Sequence, residues 1–405
     1  MNSATRWLAI VGIGEDGTAG LGEHARALIA GAELVFGGAR HLELASALIK
    51  GEAQKWSSPL VESLEAIVAA RGRQVCVLAS GDPFLFGIGA TLSQHVPANE
   101  MDVVPAPSAF SLAAARLGWP LQDTTTVSLH GRPIELILPH LQPGRRILAL
   151  TSDADGPRAL AELLAATGFG TSRLTLLEAL GGPRERLRQV RVDGFDLADI
   201  DPLNLCAIEV VAAPEARVLA RAAGLPDALY EHDGQLTKRE MRAITLSALA
   251  PKRGQLLWDI GAGSGSISIE WMLADPAMRA IAIEAEPERV ARIRRNALAF
   301  GVPDLRVVEG TAPGALDGLP APDAVFVGGG GSEPGVLEAA IAALKPGGVL
   351  VANAVTTELE GLLLDQHRQL GGSLSRIAIA HASPVGTMTG WRPAMPVTQW
   401  SWVKP

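Results

Sequence analysis

Two cysteines stand in 405 residues, too few for a disulfide framework or a zinc cluster. Cys76 and Cys206 lie inside the apolar runs VCVLAS and LCAIEVV, and both read as buried core thiols in a reducing compartment. Basic charge is scarce as well. A net charge of −8 excludes a general nucleic-acid binder, which needs a basic surface, and an anionic substrate must then be held by a local basic patch. No uninterrupted apolar stretch approaches the ~18 to 20 residues that cross a bilayer. WLAIVGIG runs straight into acidic EDG with no small-residue cleavage pattern, so it reads as a first core strand and not as a signal peptide. The histidines show no metal-ligand spacing. These shortages lead to the expectation of a cytoplasmic protein with no metal site, no membrane partner and no nucleic acid.

What is present is ample apolar content for two cores: 48% hydrophobic against 19% charged residues. Short β-branched runs alternate with alanine- and leucine-rich stretches up to about residue 213. LAIVGIG, ELVFGG, QVCVLAS, MDVVPAPS, TTTVSLHG, RILALTS, RLTLLEAL and LCAIEVVAA read as strands; EHARALIA, VESLEAIVAAR, AFSLAAARLG and ALAELLAATG read as helices. Such alternation implies helices packed on mostly parallel sheets. Residues 214–236 carry two prolines and no strand signal, and read as a linker. At 237 a new helix is expected, with Thr237 as N-cap and Glu240 closing a capping box. The alternation then resumes through LLWDIG, IAIEAE, LRVVEG, DAVFVGG and GGVLVANAV. The tail, SRIAIAHASPVG followed by MPVTQWSWV, reads as a strand pair separated by a Gly/Pro-rich loop.

Two glycine loops compete for a nucleotide. Gly12, Gly14 and Gly17 match the dinucleotide spacing G-x-G-x-x-G after a strand. Yet the next strand ends in Gly37–Gly38 where an acid should take the ribose, and the following helix starts several residues late. A tight turn is what remains of that reading. The second loop, Asp259-Ile-Gly261-Ala-Gly263-Ser-Gly265-Ser266, departs from the dinucleotide fingerprint at Ser266. Its next strand does end in acid, Glu284, and a third strand leads into Gly310-Thr311-Ala312. This set resembles the class I S-adenosylmethionine (SAM) methyltransferases, in which a carboxylate binds both ribose hydroxyls.

The resemblance extends further. GLPDALYEHDGQLTKREMRAITLSAL, WDIGAGSGSISIE, VVEGTAP, PDAVFVGGGG and LKPGGVLVANAVT are together similar to the decarboxylating precorrin methyltransferases of cobalamin biosynthesis. GIGEDG, ASGDPFLFGIG, VPAPSAFSLAAARLGWP, VSLHGRP and PLNLCAIEV resemble the tetrapyrrole (class III) methyltransferases. Many members of that family carry Pro-Gly where this chain has Glu15-Asp16. The implied fold class is α/β: an N-terminal bilobal class III tetrapyrrole methylase fold over 1–213, and a C-terminal Rossmann-like class I SAM methyltransferase fold over 237–405. The fusion implies methylation of a late precorrin at C-5 and C-15 with loss of carbon dioxide from the C-12 acetate, one SAM per domain, and a homo-oligomer. A rival remains open, in which only the C-terminal domain is catalytic and the N-terminal one is a binding or assembly module.

The resemblance also implies residues. Gly261, Gly263, Gly265, Asp259 and Glu284 hold SAM in the C-terminal domain, with Gly310, Thr311 and Ala312 near the adenine. Thr237 is a SAM contact or a plain helix cap. Lys238 and Arg242, at i and i+4 beside Arg239, clamp the substrate's carboxylates or form an ordinary basic face. Asn353 bonds substrate or caps a turn, and the glycines at 328–331 admit a flat macrocycle or form a lid. In the N-terminal domain Gly12, Gly81, Asp82, Pro83, Ser108, Ala109 and Leu129 receive SAM. His130 carries a proton or caps a strand end.

Overall fold

The computed structural model describes residues 6–405, which form two compact units meeting at Arg217 and Val218. In the first unit β1 (Leu8–Ile13), β2 (Leu34–Gly37), β3 (Glu52–Lys55), β4 (Val75–Ser80) and β5 (Met101–Val104) form a wholly parallel sheet in the order β3-β2-β4-β1-β5. β1 is buried at every position because apolar clusters cover both of its faces. That is why LAIVGI reads as a continuous apolar run and not as an alternating one.

A second sheet in the same unit holds β6 (Thr124–Ser128), β7 (Arg146–Leu150), β8 (Arg173–Glu178), β9 (Arg186–Arg191) and β10 (Asn204–Glu209), in the order β6-β7-β10-β8-β9. The expectation of mostly parallel strands fails here: only β6 and β7 pair in parallel. β9, RLRQVR, carries no apolar alternation and is missed by periodicity. Its arginines 186 and 188 instead converge on the fully buried carboxylate of Glu178. The helix Ala109–Leu117 packs Phe110, Ala113 and Ala114 against Leu148, Leu177 and Leu205 of this sheet.

The second unit is built on β11 (Leu256–Ile260), β12 (Arg279–Glu284), β13 (Arg306–Glu309), β14 (Ala324–Val327), β15 (Val349–Ala354), β16 (Ser373–Ile377) and β19 (Val397–Val403), with β17 (Ala380–Val385) and β18 (Met388–Pro393) as a separate hairpin. The sheet order is β13-β12-β11-β14-β15-β19-β16, parallel from β13 to β15 and antiparallel at β19 and β16. Large apolar clusters cover both faces. The stretch SRIAIAHASPVG, read as one strand, splits into β16 and β17, and β17 pairs with β18 from the expected loop as a hairpin, with Met388 and Trp391 each 77% exposed. Among the described residues no helix is long and apolar enough to cross a membrane.

Two local expectations are corrected. Most of the stretch read as a linker belongs to the second unit: Leu219, Leu225 and Tyr230 are buried in its core. The Glu270 carboxylate accepts the Gly224 and Leu225 N–H groups and the Tyr230 hydroxyl. The prolines signal irregular backbone, which here is tied down by side chains. The capping box also does not form. The helix Arg239–Leu249 takes Lys238 as its N-cap with no side-chain bond, so Glu240 falls one position too early to reach back to the cap.

Candidate functional site

β11 ends at Ile260 and the chain turns at once through Gly261 (φ +70°) and Gly263 (φ +59°), with Gly265 (φ +77°) leading into the helix Ser266–Leu273. A Cβ on Gly261 would collide with the Gly329 carbonyl at the end of neighbouring β14, so that position excludes any side chain. Glu284 closes β12 and is 6% exposed. Its Oε2 accepts the Gly263 N–H at 2.8 Å, and its Oε1 accepts the Glu286 N–H at 3.1 Å. Each carboxylate oxygen keeps a second lone pair, and the residue lines a cavity of about 1000 Å³. Gly261, Gly263, Gly310, Thr311 and Ala312 line the same cavity. Gly310 is held to it by its N–H on the Glu284 carbonyl at 3.0 Å.

Strand order divides this cavity. The residues just named follow β11, β12 and β13 on one side of the sheet. From the other side come Gly328–Gly330 after β14, Asn353 on β15, Val397 on β19, and Ile377, Ile379 and His381 at the root of the hairpin. Thr237, Lys238 and Glu240 add a wall from the helix start.

Three expected site residues are placed differently. Asp259 does not line the cavity. Buried at 1% exposure, it braces the glycine turn from behind, its Oδ2 accepting the Ser268 N–H at 3.1 Å and hydroxyl at 2.7 Å. Its other oxygen has no protein partner. Burial, reinforced by the Glu284 charge and opposed by the Ser268 bonds, pushes its pKa up to about 6. Gly265 also stays outside the cavity, shut against Ile293. Arg242 is not a clamp. It is fully buried, paired with Glu270 at 2.5 Å and Asp227 at 3.2 Å, and donates to the Leu225 and Thr237 carbonyls. Helical spacing put it on the face of Lys238, but five guanidinium donors matched to a ring of acceptors drew it into the core. Lys238 stays 56% exposed in the cavity wall, 4.0 Å from Asp227. Asn353 lines the cavity, and its amide donates to Thr245 at 2.9 Å and accepts from Gln399 at 2.9 Å, so it caps no turn.

In the first unit Gly12, Gly81 and Ala106 close on one another at the carboxyl ends of β1, β4 and β5. Gly81 (φ +55°) donates to the Ile13 carbonyl at 3.3 Å and accepts from Ala106 at 3.2 Å. A Cβ on Gly12 would overlap the Gly81 carbonyl. Asp82 accepts the Phe84 N–H at 2.9 Å, and the Pro83 carbonyl accepts from Gly89 at 2.9 Å, folding GDPFLFG into a tight loop with Phe84 and Phe86 about half exposed. Ser108 caps the helix beginning at Ala109 by accepting from Ser111 at 3.1 Å, and a Cβ on Gly81 would lie 2.9 Å from its Cα. Six expected residues, Gly12, Gly81, Asp82, Pro83, Ser108 and Ala109, thus meet at one sheet edge. Leu129 and His130 instead stand at the end of β6, bonded towards the end of β7.

Sequence reasoning missed a polar cluster at this edge. Glu15 pairs with Arg40, which donates to Ser80 at 2.9 Å, and Arg184 approaches Glu15 at 3.7 Å. Glu15 standing where Pro-Gly was expected was the available signal. Also missed were Glu270 and Thr245, which stand inside recognised stretches but carried no role there, and Gln399 and the hairpin root, which lie far from the glycine turns in sequence. Among the described residues no group of His, Cys, Asp or Glu is placed to hold a metal ion.

Comparisons with known proteins follow the same division. Residues 8–196 match the family model of the tetrapyrrole (corrin/porphyrin) methylases, and 228–404 match that of the precorrin methyltransferase domain. A Sinorhizobium protein named precorrin-6Y C(5,15)-methyltransferase [decarboxylating] is 66% identical over 98% of this chain and 96% of its own. A Pyrobaculum calidifontis protein named "Probable cobalt-precorrin-6B C(15)-methyltransferase (decarboxylating)" is 36% identical over 44% of this chain and 96% of its own. The cobalt-precorrin-7 C(5)-methyltransferase of Salmonella typhimurium is 31% identical over 47% of this chain and 92% of its own. Near-complete coverage at that first identity leaves one conclusion: the chain is a methyltransferase and belongs to the decarboxylating precorrin-6Y C(5,15)-methyltransferase family.

Proposed function

We propose that the first unit methylates a late precorrin at C-5, and that the second methylates C-15 and removes the C-12 acetate carboxyl as carbon dioxide, each with its own SAM site. The observation that carries this reading is the 1000 Å³ cavity in which the glycine turn, Glu284 and Gly310–Ala312 face Lys238, Asn353 and the hairpin root. That volume is at the upper end of small-molecule sites, with room for a nucleotide-type donor and part of a second ligand. The split of reactions between two half-length relatives, one named for C-5 and one for C-15 with decarboxylation, supports the division of labour. It also disfavours a first unit that only binds or assembles.

SAM, when bound, supplies an electrophilic methyl group on a sulfonium. The chain's part is position and exclusion of water. Glu284 offers its lone pairs to a ribose diol. Gly261 and Gly263 let backbone approach the donor, and Gly310, Thr311 and Ala312 wall the adenine. Thr237 lines the cavity beside them. Lys238 meets a substrate carboxylate as a point charge, and Asn353, held by Thr245 and Gln399, presents a fixed edge to the macrocycle. Asp259 and Arg242 hold these parts in place from the core. In the first unit the Gly12–Gly81–Ser108 edge with Asp82, Pro83 and Ala109 forms the donor seat, with Leu129 across the second sheet. A homo-oligomeric assembly belongs to the same reading.

Calorimetry of the full chain with SAM tests the division. Two equivalents per chain support it, whereas one equivalent overturns it. The product from precorrin-6Y and SAM should carry two added methyl groups and lack one carboxyl, as read by mass spectrometry.

A further inference from the structure

Decarboxylating an acetate side chain leaves an electron pair on carbon that must be protonated: R–CH2–COO⁻ plus H⁺ gives R–CH3 plus CO2. A group in the cavity that holds a proton near neutral pH can deliver it to that carbon faster than solvent. The cavity's ionisable side chains can be followed one by one. Glu284 accepts two backbone N–H groups and turns its remaining lone pairs to the methyl donor's ribose. Asp227 accepts both Nη groups of Arg242. Arg289 is paired with Asp233 at 2.9 Å, and Arg239 donates to the Gly224 carbonyl at 3.0 Å. Lys238 is paired with Asp227 at 4.0 Å. Glu333 lines the cavity from the loop after the glycines.

His381 remains. It stands on β17, one residue past the strand's start, and lines the cavity. Its Nε2 lies 4.0 Å from Oε2 of Glu240, which lines the cavity from the helix start. An imidazole is the side-chain type best suited to donate and regain a proton near neutrality. His381 also belongs to the half of the cavity away from Glu284 and Gly310–Ala312, where the macrocycle and not the methyl donor would lie.

We propose that His381, oriented by Glu240, is the acid that protonates the side-chain carbon as carbon dioxide leaves. This rests on the assignment of decarboxylation to the second unit. The proton passes from Nε2 to carbon, the C–CO2 bond breaks, and the neutral imidazole is reprotonated from solvent, to which it is 62% exposed at the side chain. The exposure also means that replacing it should leave the fold intact.

The test uses the full chain with precorrin-6Y and SAM, following carbon dioxide release and methylation separately. For the wild type, the rate of release should fall as pH rises through the imidazole range. His381→Asn should slow release by roughly 10²-fold or more, the usual worth of a placed general acid, and should abolish that fall, while C-5 methylation continues unchanged. Glu240→Gln should lower kcat for release while leaving KM and C-5 methylation unchanged, a split that a merely structural carboxylate would not produce. Unaltered release and an unaltered pH profile in His381→Asn would overturn the assignment. A wild-type chain that releases no carbon dioxide would instead overturn the functional reading on which it rests.

Discussion

Gly12 and Gly261 each stand at the carboxyl end of a buried parallel strand, and each is shut in by backbone from a neighbouring strand end. Their turns are nonetheless built for different work. After Gly261 a helix begins at once, at Ser266, and the acid closing the next strand returns to bond the turn through the Gly263 N–H. After Gly12 there is only a short 3-10 turn, Gly17–Gly20, before the helix at Glu23, and the next strand ends in glycine. The acid of that turn, Glu15, faces Arg40 and Arg184. The better sequence match to a dinucleotide fingerprint is thus the poorer nucleotide turn. Spacing of glycines reports where backbone must bend and approach backbone, and the ligand is decided by what surrounds the bend.

The largest test of this two-unit comparison is Arg242→Ala. Removing one partner of the buried pair leaves Glu270 without its counter-charge, at a cost of about 3–5 kcal/mol. In a thermal scan the second unit's transition should fall well below the first unit's, while Lys238→Ala leaves both where they were. Equal behaviour of the two variants would mean that the buried ring around Arg242 is not holding the second unit together.

Glu284→Gln comes next. Loss of the charged acceptor should weaken SAM binding in the second unit by about 1.5–3 kcal/mol, roughly ten- to hundredfold, with the first unit's affinity unchanged by calorimetry. An equal loss in both units would erase the distinction between the turns.

The smallest effect concerns Asp259. Its folded pKa lies above the unfolded value, so between about 4 and 6 the folded state binds more protons, and stability contributed by this group declines as pH rises through that window. Asp259→Asn, which keeps an oxygen for Ser268, removes that decline. The variant's stability relative to wild type should rise between pH 4 and 6 by on the order of 1 kcal/mol per pH unit, as read from denaturant midpoints. A flat difference would argue against a buried, proton-retaining carboxyl.

Much of this was legible in the sequence because it is local. LAIVGI, VCVLAS and LLWDI announce buried strands, and D-I-G-A-G-S-G followed by an acid-closing strand announces a turn for a diol-bearing nucleotide. What was misjudged depended on distant partners. Arg242 shares a helical face with Lys238, yet Glu270, Asp227 and the Leu225 carbonyl from other segments, with the Thr237 carbonyl before its own helix, supply its acceptors. Residues 218–236 look like a linker until Glu270 takes their N–H groups. RLRQVR shows no strand signal because Glu178, from the adjacent strand, supplies what an apolar face would.

The sequence by itself determined the α/β alternation, the two-part organisation and the positions where only glycine fits, since backbone sterics and apolar periodicity act over a few residues. Tertiary structure alone decided which charged side chains face the cavity and which are buried. A guanidinium or carboxylate goes where its hydrogen-bond partners are, and those partners lie tens of residues away: Arg242 with Glu270, Asn353 with Thr245 and Gln399, His381 with Glu240.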